Sequence, residues 1–285
     1  MSNIIYTILL FNVLIIVFKM FEKYNVDNLQ ALIINYITAG VCSYLFLEQE
    51  ISLDIVLNSD WIYHAIIIGT LFIIVFNFYA YGIQKVGIAV TTVANKMSLI
   101  IPVCAALILY PEENIFDTLK GIAFFLALAG IYLSSTKAGK LSFDKKYLWL
   151  ILLVFIGQGL SDSIFNDFAQ KFPNEGGYLF FMVLFFMATV SGILILTGKS
   201  FNKKNSLQLK SVFWGIVFGV PNFFSLVFFL KALGNMESSI VFPLVSMGVV
   251  VSSSLIGLFL FKEKLSKRNW IGILLSLCAI YIFSF

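Results

Sequence analysis

The sequence predicts an all-α integral membrane protein: ten transmembrane helices arranged as two inverted five-helix repeats around a central cavity. Three observations predict it: a composition too apolar for a soluble core, ten runs of membrane-spanning length, and an internal repeat with an odd number of runs in each half. Of the 285 residues, 60% are hydrophobic and only 12% charged, with a mean hydropathy of +0.97. Soluble domains carry about 25% charged residues, so the charge deficit alone excludes that class. A net charge of +4 is too dilute for a nucleic-acid surface, and no nucleic-acid partner is expected. Cys42, Cys104 and Cys278 lie inside apolar runs without CxxC spacing, and His64 is the single histidine. Neither a disulfide framework nor a metal cluster follows from them, and no cofactor is expected.

A hydrocarbon layer of about 30 Å takes about 20 apolar residues in a helix. The runs of this kind span Asn3 to Phe21, Asn28 to Leu47, Trp61 to Gln84, Ile88 to Tyr110, Ile115 to Ser135, Tyr147 to Phe168, Tyr178 to Thr197, Ser211 to Leu233, Ser238 to Phe261 and Asn269 to Phe285. The first run has no Lys or Arg before it and no small-residue cleavage site after it, so it reads as a retained helix. Residues 1–136 form the first five-helix unit, 137–146 a basic linker, and 147–285 the second unit.

The two units align at a shift of 151 residues, which pairs Glu112 with Glu263 and Gly121 with Gly272. Both units thus place a carboxylate at the turn before the last helix, where it favours the helix dipole, and a small residue early within that helix. A unit that crosses five times returns the chain to the opposite face. The second unit therefore enters inverted, the usual construction of secondary transporters with a midplane site.

The stretches Tyr110-Pro-Glu-Glu through Gly121 and on to Ile131, and Phe261-Lys-Glu-Lys-Leu-Ser through Gly272 and on to Ile282, resemble the ends of the two EamA domains of the drug/metabolite transporter superfamily. Pro102 and Pro243 resemble prolines common there. The resemblance implies ten helices, a central cavity, alternating access, and substrates that include amino acids, other metabolites, sugar nucleotides and drugs.

Charge placement addresses orientation. The connections after the first, third, fifth, seventh and ninth runs hold 15 of the 19 bases, whereas the opposite face holds Lys120, Lys171 and Lys231. The positive-inside rule then puts the lysine-rich face in the cytoplasm and both termini outside, against the usual topology of the superfamily. A bacterial plasma (inner) membrane is the expected location.

Two charges lie within runs, where each costs about 2.5–3.5 kcal/mol on insertion scales. Lys96 is three residues from the centre of the fourth run, and Asp162 lies in the outer half of the sixth. Helical spacing groups Thr92, Asn95 and Lys96 on one face, and Gln158, Ser161, Asp162, Phe165 and Asn166 on another. Asn77, Asn222 and Ser246 add polar positions that could close a ring around a cavity. Lys96 reads as a group that attracts a carboxylate or phosphate, as a proton carrier, or as one half of a structural ion pair. Asp162 reads as an amine or proton site, or as a helix-end bond. The amides also serve as helix glue, and His64 reads as an interfacial residue or a proton-coupling group.

The leading reading is a secondary transporter of a small metabolite, with a proton or counter-solute as the coupling partner and the lipid bilayer as surroundings; a homodimer is left open. Drug efflux or flipping of a lipid-linked sugar is the alternative, and a non-transporting receptor or scaffold the reading from a different class. Clustered aspartates for diphosphate, paired zinc-binding histidines and Gly-rich phosphate loops are absent from the sequence, so an enzyme is not expected.

Overall fold

The computed structural model describes residues 1–48, 52–85, 88–112, 117–135, 145–173, 177–200, 207–260 and 265–283. Among these the chain is all-helical. The helices are α1 (Ser2–Lys23), α2 (Asn28–Leu45), α3 (Leu53–Leu57), α4 (Ile62–Lys85), α5 (Ile88–Met97), α6 (Ile100–Leu109), α7 (Thr118–Ser135), α8 (Leu148–Lys171), α9 (Gly177–Ser200), α10 (Leu209–Leu233), α11 (Ser238–Leu260) and α12 (Lys267–Phe283). The predicted linker 137–146 lies largely outside the described residues.

Each predicted run falls on a helix, with two differences. The short α3 occupies what reads as a loop, started by the Ser52 hydroxyl, which accepts from the Asp54 amide. The fourth run is broken into α5 and α6 at Ser98 and Leu99. Pro102 explains the break. It has no N–H to return to the Ser98 carbonyl, which instead accepts from the Ile101 amide at 2.9 Å, a tighter turn. Pro102 then sits in the first turn of α6, where a missing donor is tolerated.

Among the described residues, six segments are long and apolar enough to cross a membrane: Ser2–Phe21, Ile62–Tyr79, Leu148–Lys171, Gly177–Gly198, Leu209–Leu233 and Ser238–Leu260. Helix α2 is more polar, with Gln30, Asn35 and Ser43 buried. It packs between α9 and α10, so these side chains meet protein and not lipid. Asp27 starts it by accepting from the Gln30 amide at 3.0 Å.

Close backbone approach sets two of the interfaces. Gly215 and Gly219, four residues apart on α10, face α2; a Cβ on them would come within 2.7 Å of the Ala31 and Asn35 carbonyl oxygens. Gly69 of α4 does the same against α9, where a Cβ would meet the Leu184 carbonyl oxygen at 2.3 Å. Small residues are what let membrane helices approach this closely.

Further pairings include α1 with α10 and α11, α4 with α8, α5 and α6 with α8, α7 with α12, and α11 with α6, α7 and α12. Contacts define two ends of the bundle. At one, the start of α10 meets the end of α1, and the Asn269 amide side chain at the start of α12 donates to the Leu133 carbonyl of α7. At the other, the start of α4 meets the ends of α6 and α8, and the start of α7 meets the residue before α11. Lys120, Lys171 and Lys231 belong to this second, lysine-poor end.

Candidate functional site

The break in the fourth run sits beside Lys96. As the penultimate residue of α5, Lys96 places its ammonium near the carbonyl end of that helix, which offsets part of the cost of a charge at this depth. The Lys96 Nζ lies 5.9 Å from the centre of the Phe11 ring on α1, within cation–π range.

Across from it, α8 presents a polar row at helical spacing. The Asn95 side-chain amide donates to Gln158 Oε1 at 2.9 Å, and Gln158 Nε2 donates to Asp162 Oδ1 at 3.0 Å. Asp162 and Lys96 lie within Coulombic reach of each other, but among the described residues no ion pair joins them. Both side chains are half-buried.

Lys96, Asn95, Gln158 and Asp162 therefore form one continuous group joining α5 to α8. The other four predicted residues do not join it. Asn77 spends its amide on the Ile73 carbonyl of its own helix at 2.7 Å. Asn222 donates to Asn35 Oδ1 at 3.0 Å and is buried in the α2–α10 interface, where it acts as glue between helices. Asn166 is buried and accepts from the Ser238 hydroxyl, tying α8 to α11. Ser246 is half-buried on α11, with no hydrogen bond among the described residues. Among the described residues these four therefore make no hydrogen bond to the Lys96 group: helical period assigns a side chain to a face but not to a partner. The Thr92 side chain lies outside the described residues.

Several groups were missed by sequence reasoning. Asn12 of α1 is buried and donates to Ser252 Oγ of α11 at 2.6 Å, while its own Oδ1 has no partner among the described residues. The only signal was an amide inside the first apolar run. Asp167 is the larger omission. Its carboxylate accepts from His64 Nε2 at 2.8 Å, from Lys171 Nζ at 3.0 Å and from the Tyr110 hydroxyl. Its position near the end of the sixth run gave it the look of a solvated helix-end charge. A recess of about 260 Å³ beside Gln170, Asn235 and Glu237 also opens at the lysine-poor end, apart from Lys96.

Comparison with known proteins adds the family. Residues 145–285 match the EamA-like transporter family. The chain is 29% identical to an uncharacterized protein of Haemophilus influenzae over 289 residues, covering 99% of this chain and 97% of that one. A stretch of 72 residues is 32% identical to the probable 4-amino-4-deoxy-L-arabinose-phosphoundecaprenol flippase subunit ArnE of Proteus mirabilis, covering 25% of this chain and 63% of the relative. A protein crystal structure superposes with a TM-score of 0.78 at 15% identity, over 99% of this chain and 94% of the other, which shows a shared fold. Together with the apolar helices, the match over residues 145–285 makes this chain an integral membrane protein whose second half is similar to the EamA-like transporter family.

Proposed function

We propose that the protein is a secondary transporter that moves a small charged or amphipathic metabolite, such as an amino acid, by alternating access. The observation that carries the reading is the Lys96–Asn95–Gln158–Asp162 group. It holds two opposite charges inside the bundle, accessible and without a direct ion pair. Lys96 takes the carboxylate or phosphate of the substrate, and Asp162 takes an amine or the coupling proton. Charges at this depth are costly unless a ligand or pathway uses them.

In this reading α1, α2, α4, the pair α5 and α6, and α7 form one five-helix repeat within residues 1–136, and α8 to α12 form the other within 147–285. The packing supports it. Exchanging the repeats turns α2 against α10 into α9 against α4, α1 against α10 into α8 against α4, and α1 against α11 into α8 against α5 and α6; all of these pairs are in contact. The glycines follow the same exchange, with Gly215 and Gly219 against α2 and Gly69 against α9. Five-helix repeats inverted about the membrane plane place the site at their interface, where Lys96 and Asp162 lie. The lysine-rich end faces the cytoplasm of a bacterial cell and both termini face outward. An active periplasmic reporter fused to the C-terminus supports that orientation, and a fluorescent cytoplasmic one overturns it.

The test of function is a thermal-shift screen of the purified protein with amino acids, organic acids, sugar phosphates and nucleotides, followed by proteoliposome transport of whatever stabilises it. Lys96→Ala and Asp162→Ala should each abolish stabilisation and transport. Undiminished transport of every substrate by both variants rejects the site. The stretch similar to the ArnE flippase subunit favours a second reading, translocation of a lipid-linked sugar. Lipid-dependent translocation with no response to soluble metabolites would select it.

A further inference from the structure

The Asp167 cluster is outside the central group, and nothing in the proposed transport site uses it. Three elements converge on this one carboxylate. His64 comes from the start of α4, Tyr110 from the residue that ends α6, and Lys171 from the last turn of α8 itself. The first two belong to the first half of the chain and Asp167 to the second. The site is partly enclosed: the His64 and Asp167 side chains are 16% and 21% exposed, and the imidazole packs against the Phe168 and Phe172 rings. Among the described residues His64 Nδ1 is buried without a partner, so the Nε2–H tautomer, which donates to Asp167, is the one that uses the ring best.

The same helices carry the central charges. Asp167 lies five residues beyond Asp162 on α8, a rise of about 7.5 Å. Tyr110 ends the helix that begins just after Lys96, and α6 between them is ten residues long. Helix α6 is therefore a short rod, with the Ser98–Leu99 break at the site end and the Asp167 bond at the mouth. A break of this kind is where a segment absorbs the backbone change of a hinge. Any parting of α8 from α4 and α6 at the lysine-poor end must separate Asp167 from both His64 and Tyr110.

We propose that Asp167, held by His64 and Tyr110, is a latch that keeps the lysine-poor mouth closed, and that opening the Lys96–Asp162 site to that side requires its release. Polar groups suit the task, because water can replace each bond as the mouth opens, which keeps open and closed states close in free energy. A second strap accompanies the latch: Lys120 Nζ of α7 meets Glu237 Oε2 before α11 at 2.9 Å. The proposal rests on the alternating-access reading, but its test needs no substrate, so failure of one leaves the other standing.

The experiment is a spin-label distance measurement across the mouth. Labels are placed on Tyr63→Cys at the start of α4 and Pro173→Cys after α8, both exposed positions, with Cys42, Cys104 and Cys278 replaced by alanine. In lipid nanodiscs the parent should give one short distance. Tyr110→Phe, which keeps the ring, and Asp167→Asn should each add a longer-distance population. A merely structural role would lower the melting temperature and leave the distances unchanged, and unchanged distances in folded Asp167→Asn overturn the latch. Should that variant fail to fold, Tyr110→Phe decides on the same criterion.

Discussion

Two joints at opposite ends of the bundle become equivalent when the proposed repeats are exchanged, yet they are built from different chemistry. Where α4 meets α8, the Asp167 carboxylate gathers His64, Tyr110 and Lys171. Where α10 meets α1, aromatic rings interlock: Phe18 lies 4.7 Å from Phe218, Phe21 lies 5.7 Å from Phe218, and Tyr24 stacks on Trp214 at 5.4 Å. Phe18, Phe21, Trp214 and Phe218 belong to a separate small core with Leu14, Val17, Val26 and Ala31, and Tyr24 lies at its exposed edge. Directional bonds between few atoms break over a short displacement, whereas ring packing loses its contacts gradually. The comparison assigns the switchable joint to the lysine-poor end and the more permanent one to the lysine-rich end.

The largest effect should come from the aromatic joint. Phe218 is 1% exposed, and Phe218→Ala should lower unfolding stability by about 3–5 kcal/mol, mostly through the cavity it leaves. A denaturant titration in detergent checks this, and a loss below that of Asp167→Ala would reverse the comparison. Asp167→Ala removes the acceptor for three donors and should cost about 1.5–3 kcal/mol in the same titration. Tyr110→Phe removes one of those bonds and should cost about 1 kcal/mol, read from the shift in melting temperature. Lys120→Met should change stability least, by no more than about 1 kcal/mol, because its partner Glu237 is 28% exposed and water screens the pair. A larger loss at Lys120 would move the main strap of that end from α8 to α11.

The sequence made some of this plain and hid the rest for identifiable reasons. Gln158 and Asp162 share a face because they are four residues apart, and the structure bonds them directly. Asn95 and Lys96 stood out as polar residues in an apolar run, and both belong to the central group. Asn222 stood out equally and proved to be half of an interhelical amide pair with Asn35. An amide suits cavity lining and helix packing alike, so only its neighbour decides. His64, Tyr110 and Asp167 are scattered along the chain, and no local pattern links them. Pro102 and Pro243 were equally visible, but α5 and α6 part near the first while α11 continues through the second.

Composition and period by themselves determined that this chain is helical and membrane-embedded, where its apolar segments lie, and that charges at Lys96 and Asp162 need a reason. Those properties follow from transfer free energies and helix geometry, which act residue by residue. Which helix each polar face meets, where the fourth run breaks, and that one carboxylate near the end of α8 ties the halves together were decided only by the tertiary structure. Partners distant in sequence are chosen by packing: the close approach of Gly69, Gly215 and Gly219 to facing backbones sets which helices are neighbours. The positions of the hydrogen bonds follow from that choice.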